Sequence, residues 1–463
     1  MLALNYSLFA HHPKRIHFIG ISGIGMSALA LLCLHRGWWV QGSALFQNDS
    51  TEQLTAQGAL VFLYHDTSHI SHDVECVVYS SAISDDHPEL QTARSRNIPT
   101  IHRSDLLRAF TSPLKTLAIS GTHGKTTTTS LLGHILHTSH LDPLIISGGM
   151  MVRWNSPLYP GSGPFSVIEA DESDQSHINF SNLFGAILTN IEPEHLSNYG
   201  NCEDNLRHSF RQFLNLATDF VSICRDVIDG SSPWIQNLSC PIAWYGTDPQ
   251  SDFYAENIRT TATGMMFDCD TPLGPLDDVV LNLWGHHNVL NALGAISASL
   301  RIGLPAEDIR QGLASFSGVY RRLTLLGTKN GIPIIDDYAH HPTEIAAVLQ
   351  ALHRRGYTNI LALCQPHRYT RLRDTMDAFV RCFDHAHHVG ILPVYGAGEP
   401  PIEHCGSENL VKNIENLGKT VTLMPDVSTA ETHVTALMDT GHYDVVVCMG
   451  AGDITHLAKK LAD

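Results

Sequence analysis

Apolar residues along the chain recur as short runs, each closed by a glycine-rich or acidic turn and followed by a longer segment of mixed polarity. That alternation predicts strand, turn and helix in the order of parallel α/β units. It occurs three times. The first unit opens with a strand over 15–19, a glycine turn from Gly20 to Gly25, and a small-residue helix over 27–35 that stops at Gly37. Strands over 38–42 and 76–79, the latter leading into Ser80 to Ile83, complete a parallel sheet by about residue 110. The second unit starts with a strand over 114–119, a glycine turn, and a helix ending before Pro143. Its next strands, 165–168 and 185–189, run into polar segments. Residues 218–284 alternate apolar and polar positions among many Asp, Gly, Thr and Pro, which predicts antiparallel strands with long turns and no chemistry of their own. A helix over 288–301 precedes the third unit, which begins near Gly318 with strands over 332–335, 359–363 and 445–448. Pro342 suits the first turn of a helix.

The turn Ser120-Gly121-Thr122-His123-Gly124-Lys125-Thr126-Thr127 lies between a predicted strand and a predicted helix. Its glycines let backbone N–H groups close around a phosphate at a helix N-terminus, the lysine offers a point charge to terminal phosphates, and a threonine hydroxyl can ligate Mg²⁺. The loop is shorter than the common G-x-x-x-x-G-K-[ST] form, because Ile119 stands where the first glycine would be. Lys125 is the only lysine between Lys115 and Lys329, which argues against a role in solubility. The first glycine turn reads G-x-x-G-x-G, not G-x-G-x-x-G, and the strand after it ends in Ser43-Ala44 with no acid for a ribose. A diphosphate suits that turn better than a nicotinamide dinucleotide.

Acids and a histidine close the second unit's strands: Glu169-Ala-Asp-Glu-Ser-Asp174, then Asn190-Ile-Glu-Pro-Glu-His195. Carboxyl ends of parallel strands gather at one edge, so these groups belong beside the phosphate loop, where they can hold Mg²⁺ around a triphosphate. The third unit ends its strands in Asp336 to Glu344, in Gln365 to Arg371 and in Gly450-Ala-Gly-Asp453. Surface ion pairing is the alternative for Arg368 and Arg371.

Composition narrows the class. A chain of 463 residues with 43% hydrophobic content builds about three domains. Its net charge of −17 lacks the basic footprint of a nucleic-acid binder. Ten cysteines without a C-x-x-C pair point to reduced thiols in the cytoplasm. Residues 1–10 carry no basic segment ahead of their apolar stretch, and no run reaches the roughly 18 residues of a membrane span. Of 29 histidines, those at 65, 69, 72, 137, 140, 385, 387 and 388 read as composition bias unless other site residues surround them.

Together these segments, with Gly285-His-His-Asn288 and Arg321-Arg322, resemble the Mur ligase family over nearly the whole chain. The resemblance implies an α/β chain of three domains: a Rossmann-like UDP-binding domain over 1–111, a central P-loop ATPase with a mixed sheet over 112–317, and a Rossmann-like domain for the amino acid over 318–463. It implies ATP-dependent ligation of L-alanine to the lactyl carboxylate of UDP-N-acetylmuramate through an acyl phosphate, in peptidoglycan precursor synthesis. ATP and Mg²⁺ are the implied cofactors, and the implied partners are those two substrates, without nucleic acid or membrane, in a monomer or weak homodimer.

Carried over by position, the resemblance gives catalytic roles to Lys125, Glu169, His195, His340 and Arg371. It gives the nucleotide to Gly121, Thr122, His123, Gly124, Lys125, Thr126 and Thr127, with Asn288 at adenine, Asp337 at ribose, and Arg322. Thr126, Glu169 and His195 are the implied metal ligands. Gly23, Gly25 and Ser81 line the UDP pocket, while Tyr338, Arg368 and Arg371 face substrate. Departures are Ala44, where an acid is usual, and Ser197, where an aspartate is common. Lys115 and Lys125 are the only lysines of that central segment and none follows the phosphate loop within it, which agrees with the alanine-adding member, since relatives adding later residues carry a carbamylated lysine in the central domain. A recycling ligase for an intact tripeptide usually has Tyr at the position of Ser173. A nucleotide sensor without chemistry would not need Lys125, Glu169, His195 and Arg371 together.

Overall fold

The computed structural model describes residues 15–440 and 442–463, so the reading of residues 1–10 lies outside the described residues. The chain forms two compact units. The first runs to Glu256 and also takes 268–279 and 290–317; the second takes 257–267, 280–289 and 318–463.

The first sheet holds β1 (Arg15–Ile19), β2 (Trp39–Ser43), β3 (Leu60–Phe62), β4 (Cys76–Tyr79) and β5 (Thr100–His102), in the order β3-β2-β1-β4-β5. Every pairing in it is parallel. The strand order reverses beside β1, so the turn from Gly20 to Gly25 lies at the switch point where α/β sheets receive ligands. The helix Ile24–His35 that follows is buried without a break from Met26 to Cys33. It packs on β2 and also on two strands of the next sheet, β7 (Leu144–Met151) and β8 (Ser156–Pro160). Burial on both sides accounts for a sequence rich in Ala and Leu with no polar face.

The second sheet begins with β6 (Lys115–Ser120), β7 and β8, and continues with β9 (Phe165–Glu169), β10 (Leu183–Leu188), β11 (Ala217–Cys224), β12 (Ile242–Gly246), β13 (Phe253–Thr260), β14 (Met265–Asp270) and β15 (Leu276–Leu281). Their order is β15-β14-β13-β12-β11-β10-β6-β9-β7-β8. β10, β6, β9 and β7 pair in parallel, and β8 closes that edge antiparallel to β7, giving the mixed sheet. The antiparallel set expected over 218–284 needs correction, because β11 pairs in parallel with β10 and with β12. Phe220 to Cys224 are buried one after another, as in a strand covered on both faces. The turn-rich connections that follow carry no information on strand direction, which is why the pattern misled.

The third sheet contains β16 (Thr324–Lys329), β17 (Ile332–Asp337), β18 (Ile360–Cys364), β19 (His388–Ile391), β20 (Val421–Leu423) and β21 (Val445–Met449), ordered β16-β17-β21-β18-β19-β20. All pairs are parallel except the edge pair β16–β17. β18 and β21, buried throughout, and β17, buried from Ile334 to Asp337, end together, and the polar segments singled out in the sequence emerge there. Pro342 opens the helix Pro342–Arg354 as expected. Among the described residues, no helix is long and apolar enough to cross a membrane.

Candidate functional site

β6 runs into Gly121, and the helix Lys125–Thr138 begins directly after Gly124. Both glycines have positive φ, at 133° and 80°. A Cβ on Gly121 would stand 2.2 Å from Thr189 Oγ1, and one on Gly124 2.4 Å from Asn291 Oδ1, so only glycine fits either position. Thr189 and Asn190, at the end of β10, clasp the loop: the His123 N–H donates to Asn190 Oδ1 at 2.8 Å, and Thr189 Oγ1 donates to the His123 carbonyl at 2.6 Å. Thr122 Oγ1 accepts the Glu192 N–H at 2.9 Å. Helix geometry leaves the first-turn N–H groups, at Lys125, Thr126 and the buried Thr127, without intrahelical acceptors, the arrangement that receives phosphate oxygens.

Lys125 Nζ donates to the carbonyls of Gly121 and Thr122 at 2.7 and 3.0 Å and to Glu172 Oε1 at 3.0 Å. Burial works against its charge, but Glu172, Glu169 and Asp171 outweigh it and raise the lysine's pKa, so the ammonium is kept. Burial pushes Glu172 up to about 7, against the pull of Lys125. Sequence reasoning gave Glu172 no role, although it stands in the quoted Glu169 to Asp174 motif; its place shows only when the strand end folds back beneath the lysine. There it is a counter-ion that a phosphate would replace.

Glu169 ends β9. Its Oε2 accepts from Thr126 Oγ1 at 2.9 Å and from the Gly148 N–H at 2.8 Å. Oxygen ligands in an octahedral Mg²⁺ shell at 2.0–2.1 Å stand about 3 Å apart, so the Thr126 and Glu169 oxygens already have the spacing of neighbouring ligands. A Cβ on Gly148 would stand 2.3 Å from the same carboxylate, which explains a glycine there. His195 has φ 54° and heads the short turn Leu196–Tyr199, which includes Ser197; its Nε2 lies 4.0 Å from Glu194 Oε2.

At the first sheet's edge, the Gly23 N–H donates to the Gly20 carbonyl at 3.2 Å, and Gly23 caps the helix holding Gly25. Ala44 is buried, with its N–H on the Phe62 carbonyl. Ser81 Oγ donates to Asp174 Oδ2 at 2.6 Å. Arg103, which the sequence reading did not single out, donates to Asp171 at 2.8 Å and Asp174 at 2.9 Å, and its Nη1 lies 3.8 Å from where a Cβ on Gly25 would be. It joins the first glycine turn to the acidic loop that carries Glu172. Burial works to raise the Asp174 carboxyl, but Arg103 and hydrogen bonds from Ser176 and Ser81 hold it at about 2. Arg103→Ala should therefore lower stability by about 3 kcal/mol, the low end for breaking a buried ion pair, because Asp171 keeps some contact with water. Urea denaturation checks this, and a midpoint within error of wild type would contradict it.

In the second unit, Asp337 is buried, and its two oxygens accept the N–H groups of Leu323 and Ala339, both at 2.7 Å. Burial raises it to about 6 against the pull of Arg322. The guanidinium carbons of Arg321 and Arg322 stand 4.9 and 5.3 Å from the Tyr338 ring centroid. His340 Nδ1 lies 3.0 Å from the Tyr338 carbonyl, and its ring is 5.6 Å from that of His367. Burial, with His340, Arg371 and Arg368 nearby, lowers His367 to about 3. The neutral ring can therefore accept from Arg371 Nη1 at 3.2 Å. Arg368 has φ 68° and reaches within 3.8 Å of Glu399. Asn288 is buried, and its amide donates to the Trp284 carbonyl at 2.8 Å. Tyr338, His340, Arg368 and Arg371 thus share the carboxyl edge of one sheet, as the sequence predicts.

Three family models match in succession: the Mur ligase family, catalytic domain over 15–113, the Mur ligase middle domain over 119–299, and the Mur ligase, glutamate ligase domain over 321–452. The UDP-N-acetylmuramate--L-alanine ligase of Brucella anthropi is 40% identical, covering 97% of each chain. That of Phenylobacterium zucineum is 38% identical over 96% of this chain and 94% of its own. Among solved structures, the UDP-N-acetylmuramate-alanine ligase of Thermotoga maritima superposes with a TM-score of 0.84 at 28% identity, covering 97% of this chain and 98% of that one. A murein peptide ligase from Psychrobacter arcticus reaches 0.71 at 24% identity, over 97% and 98% of the two chains.

Proposed function

The chain belongs to the Mur ligase family, and from that premise we propose that it joins L-alanine to the lactyl carboxylate of UDP-N-acetylmuramate at the expense of ATP. The observation that carries the chemistry is the placement of Lys125, Thr126 and Glu169 around one glycine loop. A carboxylate attacking a triphosphate is an anion meeting an anion, so positive charge must be in place before the oxygen approaches phosphorus. Lys125 supplies it at the β and γ phosphates, and the first-turn amides from Gly124 to Thr127, with Gly121, Thr122 and His123, hold the chain of phosphates. Thr126, Glu169 and His195 would hold Mg²⁺, which when bound neutralises phosphate charge. The lactyl oxygen attacks the γ-phosphorus, ADP leaves, and the amine of L-alanine then displaces phosphate from the acyl phosphate.

The same reading assigns segment 1–111 to the UDP-sugar, with Gly23, Gly25 and Ser81 lining its pocket. It assigns 112–317 to ATP and 318–463 to the amino acid. Asn288 would meet adenine and Arg322 the nucleotide. Asp337 keeps lone pairs for a ribose hydroxyl beyond its two backbone contacts. Tyr338, His340, Arg368 and Arg371 would face the incoming amino acid, and a guanidinium suits a carboxylate or phosphate in bidentate geometry. A substrate set that includes ATP places the reaction in the cytoplasm.

With Mg-ATP, phosphate release should require UDP-N-acetylmuramate and L-alanine together, because the amine must arrive to resolve the acyl phosphate. A coupled phosphate assay with each component omitted in turn tests this. Equal turnover with L-alanyl-γ-D-glutamyl-diaminopimelate in place of L-alanine would overturn the assignment in favour of a recycling ligase.

A further inference from the structure

Glu89 carries no part of the reaction, yet it is completely buried under the first sheet with four histidines near it. It is the second residue of the helix Pro88–Ser95, and His87 is that helix's N-cap. Residues two apart on a regular helix do not share a face, but His87 lies outside the helical geometry and turns its ring toward the same space. One ring nitrogen each from His65 and His87 and one carboxylate oxygen of Glu89 lie within 4.8 Å of one another. His65 Nδ1 is 3.4 Å from Glu89 Oε2. Ligands of a tetrahedral zinc ion at 2.0–2.2 Å stand about 3.3–3.5 Å apart, the spacing of this pair; because Ser43 Oγ gives its proton to Glu89 Oε2 and lies 2.8 Å from His65 Nδ1, an ion bound here takes the place of the His65–Ser43 contact.

Two further observations point to a ligand. His87 Nδ1 is buried and has no hydrogen-bond partner, which is unfavourable unless something else engages it. The carboxylate is also braced from behind as a metal ligand would be: Oε1 accepts from His69 Nδ1 at 2.9 Å and the Asp66 N–H at 3.1 Å, and Oε2 from Ser43 Oγ at 2.6 Å. Burial works to raise Glu89, but hydrogen bonds from His17, Ser43 and His69 hold it at about 2.

We propose that His65, His87 and Glu89 form a binding site for one divalent transition-metal ion, with Zn²⁺ the best fit. Two imidazoles and one carboxylate suit Zn²⁺ over Mg²⁺, and the partial exposure of His65 leaves a coordination position open to solvent. The site touches the first glycine turn through one residue: the Ser43 carbonyl accepts the N–H groups of Gly20 and Ile21, both at 2.9 Å, while its hydroxyl donates to Glu89 Oε2 at 2.6 Å. A bound ion therefore stiffens that turn and raises the melting temperature of the chain.

The test is calorimetric titration of the full chain with Zn²⁺ in excess Mg²⁺, on wild type and on His87→Asn and His65→Gln, with circular dichroism confirming that each variant is folded. One equivalent should bind wild type, and each folded variant should lose at least tenfold in affinity. The wild-type Co²⁺ complex should show the intensified visible bands of a four- or five-coordinate site. A loss below threefold in either folded variant, or a Co²⁺ spectrum matching the aqueous ion, would overturn the proposal. The cobalt spectrum decides the matter even if neither variant folds.

Discussion

Lys125→Ala should cut ligation by roughly two to three orders of magnitude, the 3 to 4 kcal/mol typical of losing one contact to charge that develops in the transition state. In the structure, the ammonium is held by two loop carbonyls and by Glu172, all on the side of the loop formed by its own backbone and the β9 end. Those contacts orient the lysine before a nucleotide arrives and keep it charged. The variant should still fold, because a Glu172 already pushed up to about 7 by burial can take a proton when its partner is gone. The sign follows from linkage. A carboxyl whose pKa is raised on folding binds its proton more tightly in the folded state, so its contribution is full below its unfolded pKa and fades as pH rises through its folded one. Lys125→Ala should therefore lose stability from about pH 5 upward, more steeply than wild type. Denaturation at a series of pH values, beside single-turnover rates, separates this loss from the catalytic one. A variant with near-normal turnover would show that the loop is not catalytic.

Glu169→Ala and His195→Ala should each raise the Mg²⁺ concentration needed for half-maximal turnover by roughly 10–100-fold, the range for losing a group that supports a metal. The Glu169 carboxylate bonds to the Thr126 hydroxyl and is fixed by the Gly148 N–H, so its loss removes one oxygen of the pair and the anchor of the other. UDP-sugar affinity should stay nearly unchanged, since Gly23 and Gly25 belong to a different strand end. Magnesium titration of turnover, with calorimetry on the UDP-sugar, reads both quantities. Wild-type rates at limiting Mg²⁺ in either variant would remove that residue from the metal site.

Most of this arrangement was legible because each chemical group sits where an apolar run ends. Lys125 and His195 follow β6 and β10, Glu169 ends β9, and Tyr338, His340, Arg368 and Arg371 follow β17 and β18. A parallel sheet brings such ends together whatever the side chains do, so strand positions alone place these groups at the carboxyl edge of their own sheet. What stayed hidden depends on packing across long sequence separations. The pairing of Glu172 with Lys125 needs the turn after β9, and Arg103 meets Asp171 and Asp174 only because the first two sheets share one unit. The histidines at 65 and 69 looked like composition bias until Glu89 appeared between them and His17, from a helix whose sequence shows no sign of a buried acid. Strand direction over 217–246 was illegible for another reason, since hydrophobic spacing records burial and not polarity.

The acyl phosphate is the central claim, and the oxygen that bridges carbon and phosphorus records it. With ¹⁸O in the lactyl carboxylate of UDP-N-acetylmuramate, one labelled oxygen should appear in the phosphate released with L-alanine and Mg-ATP, because that oxygen stays with phosphorus when the amine attacks carbon. Mass spectrometry of the phosphate reads the transfer directly. Phosphate carrying no label, with both ¹⁸O atoms retained in the organic product or lost to water, would contradict the account.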